Sequence, residues 1–157
     1  MKCRSREGDP VSTGRRPQTA LQSALRRYLE ARGAALLAAR TSLGIGELDA
    51  RALLFIAENP GTRPTRLKEY LGVTSPAVTT VIDRLVERGA VRRDVDTADR
   101  RVNRITITVD LDVEPWSALT RFDTALDTAI GAHPPERTEA FATFLDAITT
   151  TAHEPRT

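Results

Sequence analysis

Residues 71–89 read Leu-Gly-Val-Thr-Ser-Pro-Ala-Val-Thr-Thr-Val-Ile-Asp-Arg-Leu-Val-Glu-Arg-Gly. The stretch parses as one helix between two stops. Thr74 or Ser75 is placed to cap its N-terminus, and Pro76 falls in the first turn, where a missing N–H costs nothing. Val78, Val81, Ile82 and Leu85 repeat at i, i+3, i+4 and i+7, the stripe a helix turns inward. The helix runs from Ser75 to Arg88, and Gly89 ends it. Just upstream, Thr65 to Leu71 forms a short helix with Leu67, Tyr70 and Leu71 apolar, closed by Gly72. Two helices joined by the tight turn Gly72-Val73-Thr74 have the spacing of a helix-turn-helix unit.

Working outward, Asn59-Pro60-Gly61 is a firm stop behind a helix over Glu47–Glu58, whose Leu48, Ala52, Phe55 and Ile56 share a face. Downstream, Val91 to Val95 reads as a strand. Asn103 to Val109 reads as a second, with Ile105, Ile107 and Val109 alternating with Thr106 and Thr108. The charged connector 96–101 makes this a hairpin with an exposed tip. Three helices and a hairpin over 46–110 make a winged helix-turn-helix. The expected fold class is therefore mainly α with a small β-hairpin wing, plus a helical region formed by 18–45 and 111–157.

That second region is carried by helical spacing. Leu21, Leu25, Tyr28, Leu29, Leu36 and Leu43 recur from Thr19 until Gly44 and Gly46 end the pattern. After Pro115 come Leu119, Phe122, Leu126 and Ile130. Beyond Pro134-Pro135 come Phe141, Phe144, Leu145 and Ile148. A compact winged domain needs few of these, so a partner chain is the simplest cover for Leu21, Leu25, Leu29, Leu119, Phe122, Leu126, Phe141, Phe144 and Ile148. Residues 1–17, with Val11 as their one aliphatic residue besides the initial Met, read as a disordered basic tail.

The net charge of +2 hides a gradient: residues 1–45 sum to +6, 46–110 to +1 and 111–157 to −5. A basic end can face a polyanion while the acidic end stays away from it. Of 23 basic residues only Lys2 and Lys68 are lysines, and arginine's planar fork matches phosphate and guanine edges. With the stripe of residues 75–88 turned inward, the outer face keeps Ser75, Ala77, Thr79, Thr80 and Arg84, small enough at the N-terminal half to approach a groove floor. The DNA-facing set read from the sequence is Thr74, Ser75, Pro76, Ala77, Thr79, Thr80, Arg84 and Arg88 on this helix, with Asp99, Arg100, Arg101 and Arg104 on the wing. In that reading Arg101 enters the minor groove, where the potential is most negative, Asp99 orients it, and Arg100 and Arg104 face phosphates.

These segments resemble the MarR family of bacterial transcription regulators, over about residues 20–150. The resemblance rests on Leu71 to Thr79, on Asp83-Arg84-Leu85-Val86-Glu87-Arg88-Gly89, and on Asp99-Arg100-Arg101 followed by Ile105-Thr106-Ile107-Thr108. It implies a homodimer built from about 19–43, 115–131 and 135–152, and a repressor or activator of a pseudo-palindromic operator. It also implies a small aromatic or phenolic effector bound between the two regions. The sequence departs from the family pattern at Ala90, where a larger aliphatic is usual, and in 110–114, which lack the usual glycine before the fifth helix.

Other classes find little support. No apolar run approaches the ~18 residues of a membrane span, and no secretory h-region is present. The expected location is cytoplasmic; an organellar transit peptide is opposed by Glu7, Asp9 and Pro10. Neither a catalytic triad order, a phosphate-cradling glycine loop nor a metal motif is found, so no enzyme, cofactor or metal is expected. His133 and His153 lack a ligand cluster. Cys3, the one cysteine, beside Lys2 and Arg4, makes an oxidant sensor an alternative. The rival class is a winged-helix protein–protein interaction module without DNA binding.

Overall fold

The computed structural model describes residues 19–95 and 103–153. Along the chain come α1 (Ala20–Leu43), α2 (Glu47–Glu58), α3 (Pro64–Leu71), α4 (Ser75–Glu87), β1 (Val91–Val95), β2 (Asn103–Ile107), a 3-10 turn (Trp116–Leu119), α5 (Arg121–Gly131) and α6 (Pro135–His153). The fold class is the expected one, helices with a two-stranded antiparallel wing.

Local chemistry explains the boundaries. Thr19 and Gln22 close a capping box on α1: the Gln22 N–H donates to Thr19 Oγ1 at 3.2 Å and the Thr19 N–H to Gln22 Oε1 at 2.9 Å. α1 passes through Gly33 without a break and ends at Gly44, whose φ of 62° is left-handed. α3 starts with Pro64 in its first turn. Thr74 is the residue preceding α4, but its hydroxyl makes no capping bond.

β1 and β2 pair with Val91 opposite Ile107, Arg93 opposite Ile105 and Val95 opposite Asn103. The loop before α3 adds a bridge on the other side of β2, where the Ile105 N–H donates to the Thr62 carbonyl at 2.8 Å. β2 stops at Ile107 rather than at Val109. Thr108 still donates its N–H to the Ala90 carbonyl at 3.0 Å, and Val109 lies half-buried against the core.

One core runs through α2, α3, α4 and the wing: Leu53, Ile56, Leu67, Ile82, Leu85 and Ile105 are fully buried. Ala90 is buried beneath the wing, so the small residue there fills its site out of reach of solvent.

Two expectations from the sequence are corrected. The fifth helix does not begin at Pro115. A 3-10 turn comes first, and α5 starts at Arg121. Thr120 marks the junction, its hydroxyl donating to the Leu111 carbonyl at 2.9 Å and so tying the turn to the preceding loop. Leu119, read as a dimer residue, is 2% exposed and belongs to the chain's own core. The 3-10 turn packs on α1 and points Leu119 inward, an orientation that continuous helical spacing cannot foresee.

Candidate nucleic-acid interface

α4 has two faces of opposite chemistry. Val78, Val81, Ile82 and Leu85 are buried, while Thr74, Ser75, Pro76, Thr79 and Thr80 are exposed and Ala77 is half-buried. The two threonine hydroxyls donate back into the helix, Thr79 Oγ1 to the Ser75 carbonyl at 3.1 Å and Thr80 Oγ1 to the Pro76 carbonyl at 3.0 Å. Each hydroxyl proton is thereby used. What these side chains offer outward is an oxygen acceptor and a methyl group, the pair that suits an adenine or cytosine amino group and a thymine methyl in the major groove.

Arg84 and Arg88, both exposed and both in the DNA-facing set read from the sequence, also make contacts within the chain. Arg84 Nε lies 3.1 Å from both carboxylate oxygens of Asp49 at the start of α2. Asp49 is 4% exposed and also accepts from the Gly46 N–H at 3.2 Å. The bond to Asp49 raises the Arg84 pKa above its ordinary value. Arg88 donates from Nη1 to the Leu43 carbonyl at 3.1 Å and from Nη2 to the Gly44 carbonyl, capping the C-terminus of α1. Both guanidinium groups clamp α4 to the elbow between α1 and α2. Asp49 has no place in the sequence reading. Its partner lies 35 residues away, and the local signal is only an acid in the first turn of α2.

On the wing, Asp94 accepts from Arg92 Nε at 2.9 Å and from the Thr106 hydroxyl at 2.8 Å. The Thr106 bond, then the Arg92 bond, holds its carboxyl below the ordinary carboxylate range. Arg93 pairs with Asp83 of α4, fixing strand to helix. Arg104 Nη1 donates to the Gly61 carbonyl at 3.3 Å, which places this arginine against the loop that enters α3. Asp99, Arg100 and Arg101 lie outside the described residues, as do Cys3 and the 1–17 tail.

The helical region joins through its own contacts. Arg32 of α1 holds Asp123 of α5 with two bonds of 2.9 Å, from Nε and Nη2, and the bond raises the Arg32 pKa. Tyr28 and Phe122 meet with ring centroids 6.0 Å apart. Leu21, Leu25, Phe122, Leu126 and Ile148 are half-buried. Leu29 is 64%, Phe141 49% and Phe144 51% exposed, and neither α5 nor α6 contains a buried residue. No group of three or more potential metal ligands occurs among the described residues, and no helix there is long and apolar enough to cross a membrane.

A helix-turn-helix whose second helix presents a polar face, flanked by a two-stranded wing, defines the winged-helix class of protein. Within that class, residues 43–102 match the model of the MarR family, which bears out the resemblance read from the sequence. Solved structures extend the likeness to most of the chain. MepR of Staphylococcus aureus bound to ethidium bromide superposes with a TM-score of 0.60 at 18% identity, covering 86% of this chain and 98% of that one. A MepR mutant bound to an oligodeoxyribonucleotide gives 0.56 at 18% identity, over 87% and 100%. The transcriptional regulator Tm0710 from Thermotoga maritima gives 0.58 at 19% identity, over 84% and 93%. No curated protein sequence matches the chain. The chain has the fold of MarR-family transcription regulators.

Proposed function

We propose that this protein is a sequence-specific, double-stranded DNA-binding transcription regulator of the cytoplasm, a homodimeric repressor released from DNA by a small effector. The observation that carries the reading is α4. One face is fully buried, and the other presents a row of short hydroxyl, methyl and proline groups at the helix N-terminal half. A helix so built can reach base edges without long side chains holding it off. The dimer is supported by α6, which leaves Phe141 and Phe144 half exposed, as a helix does that awaits a partner's apolar face. The effector is aromatic or phenolic in this reading, in keeping with the ethidium held by MepR. The wing arginine, Arg101, completes the interface from the minor groove, oriented by Asp99.

Selection of bound fragments from the source genome tests the reading directly. A pseudo-palindrome with half-sites about 10 bp centre to centre is expected, since a two-fold dimer sets its recognition helices about 34 Å apart. With roughly four to five phosphate contacts per protomer, the log–log salt slope lies near about −7 to −9. A slope shallower than about −3 means that the basic residues do not face DNA, and the protein–protein module takes its place.

A further inference from the structure

Arginines bond across the elbow where α1 turns into α2. Gly44, left-handed, ends α1, and carbonyls at such an end lie past the last helical N–H that could donate to them. Arg88, the residue that closes α4, spans two of them: Nη1 donates to the Leu43 carbonyl at 3.1 Å and Nη2 to the Gly44 carbonyl. Its charge also meets the negative end of the α1 dipole. Arg84, one turn earlier on the same side of α4, holds the buried Asp49 at the start of α2. Arg40, in the last turn of α1, donates from Nη1 to Glu47 at 3.1 Å and so bonds α1 to α2.

Packing by itself leaves the joint between α1 and α4 thin. α1 packs on the 3-10 turn and on α5, and α4 packs on α2, α3 and β1, while no comparable packing joins α1 to α4. Among the described residues, the side-chain hydrogen bonds that run directly from α4 to the end of α1 are those of Arg88. With 24 residues, α1 is a rod about 36 Å long. Near its middle, Arg32 fixes the rod to Asp123 of α5 by two bonds of 2.9 Å. A change of about 10° at the elbow displaces the far end of such a rod by about 6 Å, close to two base-pair rises of about 3.4 Å. In a two-fold dimer joined through the helical region, the angle of α4 to α1 therefore sets how far apart the two copies of α4 stand.

We infer that Arg88, supported by Arg84, is the positioning residue that fixes the half-site spacing the dimer accepts. Its fork over the Leu43 and Gly44 carbonyls holds the angle of α4 to α1, and with it the separation of the two recognition helices. The inference rests on the homodimeric DNA-binding reading and adds to it a determinant of specificity that needs no contact with a base. A single donor restrains a distance. Two donors in one plane, on two successive carbonyls, restrain a direction as well, which a lysine in the same place cannot do although it keeps the charge.

The test measures dissociation constants, at one salt concentration, on the operator selected from the source genome and on versions with one base pair inserted or removed between the half-sites. For the wild type a change of one base pair is expected to weaken binding roughly tenfold or more, the size of a mismatched pair. In Arg88→Ala and Arg88→Lys that penalty falls to about threefold or less. If Arg88 acted instead as a phosphate contact, Arg88→Lys would keep the wild-type spacing penalty, and that result overturns the inference. A second arm uses no DNA. In a Cys3→Ser background, a nitroxide at Thr79→Cys reports the separation of the two recognition helices by electron–electron double resonance. One narrow distance is expected with Arg88, and a distribution broadened by several ångströms with Arg88→Lys; equal widths overturn the inference. Circular dichroism and sedimentation establish that each chain compared is a folded dimer, and Arg88→Lys, the milder change, carries the test where Arg88→Ala does not fold. A wild type that binds no duplex, or one half-site only, removes the DNA reading and the spacing role together. A wild type and variants that discriminate spacing equally remove the role of Arg88 alone.

Discussion

Thr79 and Thr80 show how a side chain's local bond sets what it can read. Both hydroxyls donate to carbonyls one turn back, so each meets a base as an acceptor with a methyl beside it. Thr79→Ala or Thr80→Ala is expected to cost operator binding about 1–3 kcal/mol and to leave scrambled duplex nearly unchanged, since a base contact carries sequence information and a phosphate contact does not. Paired dissociation constants at one salt concentration check this; equal effects on both duplexes would place the threonines on the backbone. Asp94 is the residue whose titration the fold sets most plainly. Thr106 and Arg92 depress its pKa, so its stabilising contribution is complete above the ordinary carboxylate range and disappears as pH falls through the lower folded value, below about pH 4. In Thr106→Val the Asp94 carboxyl, followed by 13C NMR, titrates at higher pH than in the wild type. An unmoved midpoint would mean that Arg92 alone sets it.

Among the elements, α4 is tied to the elbow after α1 by two arginines with different partners. Arg84 meets a buried carboxylate, and Arg88 meets the last carbonyls of α1. The Arg84 side chain is 44% exposed, so the pair falls short of the ~3–5 kcal/mol of breaking a fully buried one. Arg84→Ala is expected to destabilise by about 1–3 kcal/mol, mainly by leaving Asp49 buried with fewer donors. A double-mutant cycle with Asp49→Ala measures the coupling by urea denaturation, and a coupling near zero would show that the two residues act independently. Arg88→Ala acts on the same joint from the α1 side. Because each guanidinium is bonded within the chain, both substitutions are expected to lower operator and scrambled affinity through the orientation of α4 with the salt slope unchanged; a flattened slope would show instead that the lost charge neutralised a phosphate.

For the whole molecule, the distinction that matters is between apolar groups that the chain covers itself and those it leaves open. Leu119 is in the core, while Phe144 is half exposed on α6. Leu119→Ala is therefore expected to cost about 2–5 kcal/mol, with a fall in thermal stability of the same size at every protein concentration. Phe144→Arg is expected to shift a dimer toward monomer in sedimentation and to remove the concentration dependence of Tm that a dimer shows. A wild-type chain that sediments as a monomer at micromolar concentration would rule out the two-fold operator.

Much of the fold is legible in local sequence because its signals are local. Asn59-Pro60-Gly61, Gly72 and Gly89 punctuate the chain, and the stripe from Val78 to Leu85 has one period and one buried face, so α2, α3, α4 and the hairpin lie where stops and spacing put them. The exposed hydroxyl face of α4 follows from the same periodicity, since what is not turned inward must face out. Partners are set in three dimensions. Whether Arg84 reaches outward or back to Asp49 depends on where α2 lies, 35 residues away. Whether Leu119 faces a second chain or its own core depends on a 3-10 turn that breaks the helical period. Whether Arg88 finds the carbonyls of Leu43 and Gly44 depends on α4 ending beside the elbow, 45 residues from Leu43 along the chain. Helical and strand periods are properties of a segment. Ion pairs, burial and charge clusters are properties of segments brought together, and their energies enter only when the chain has folded.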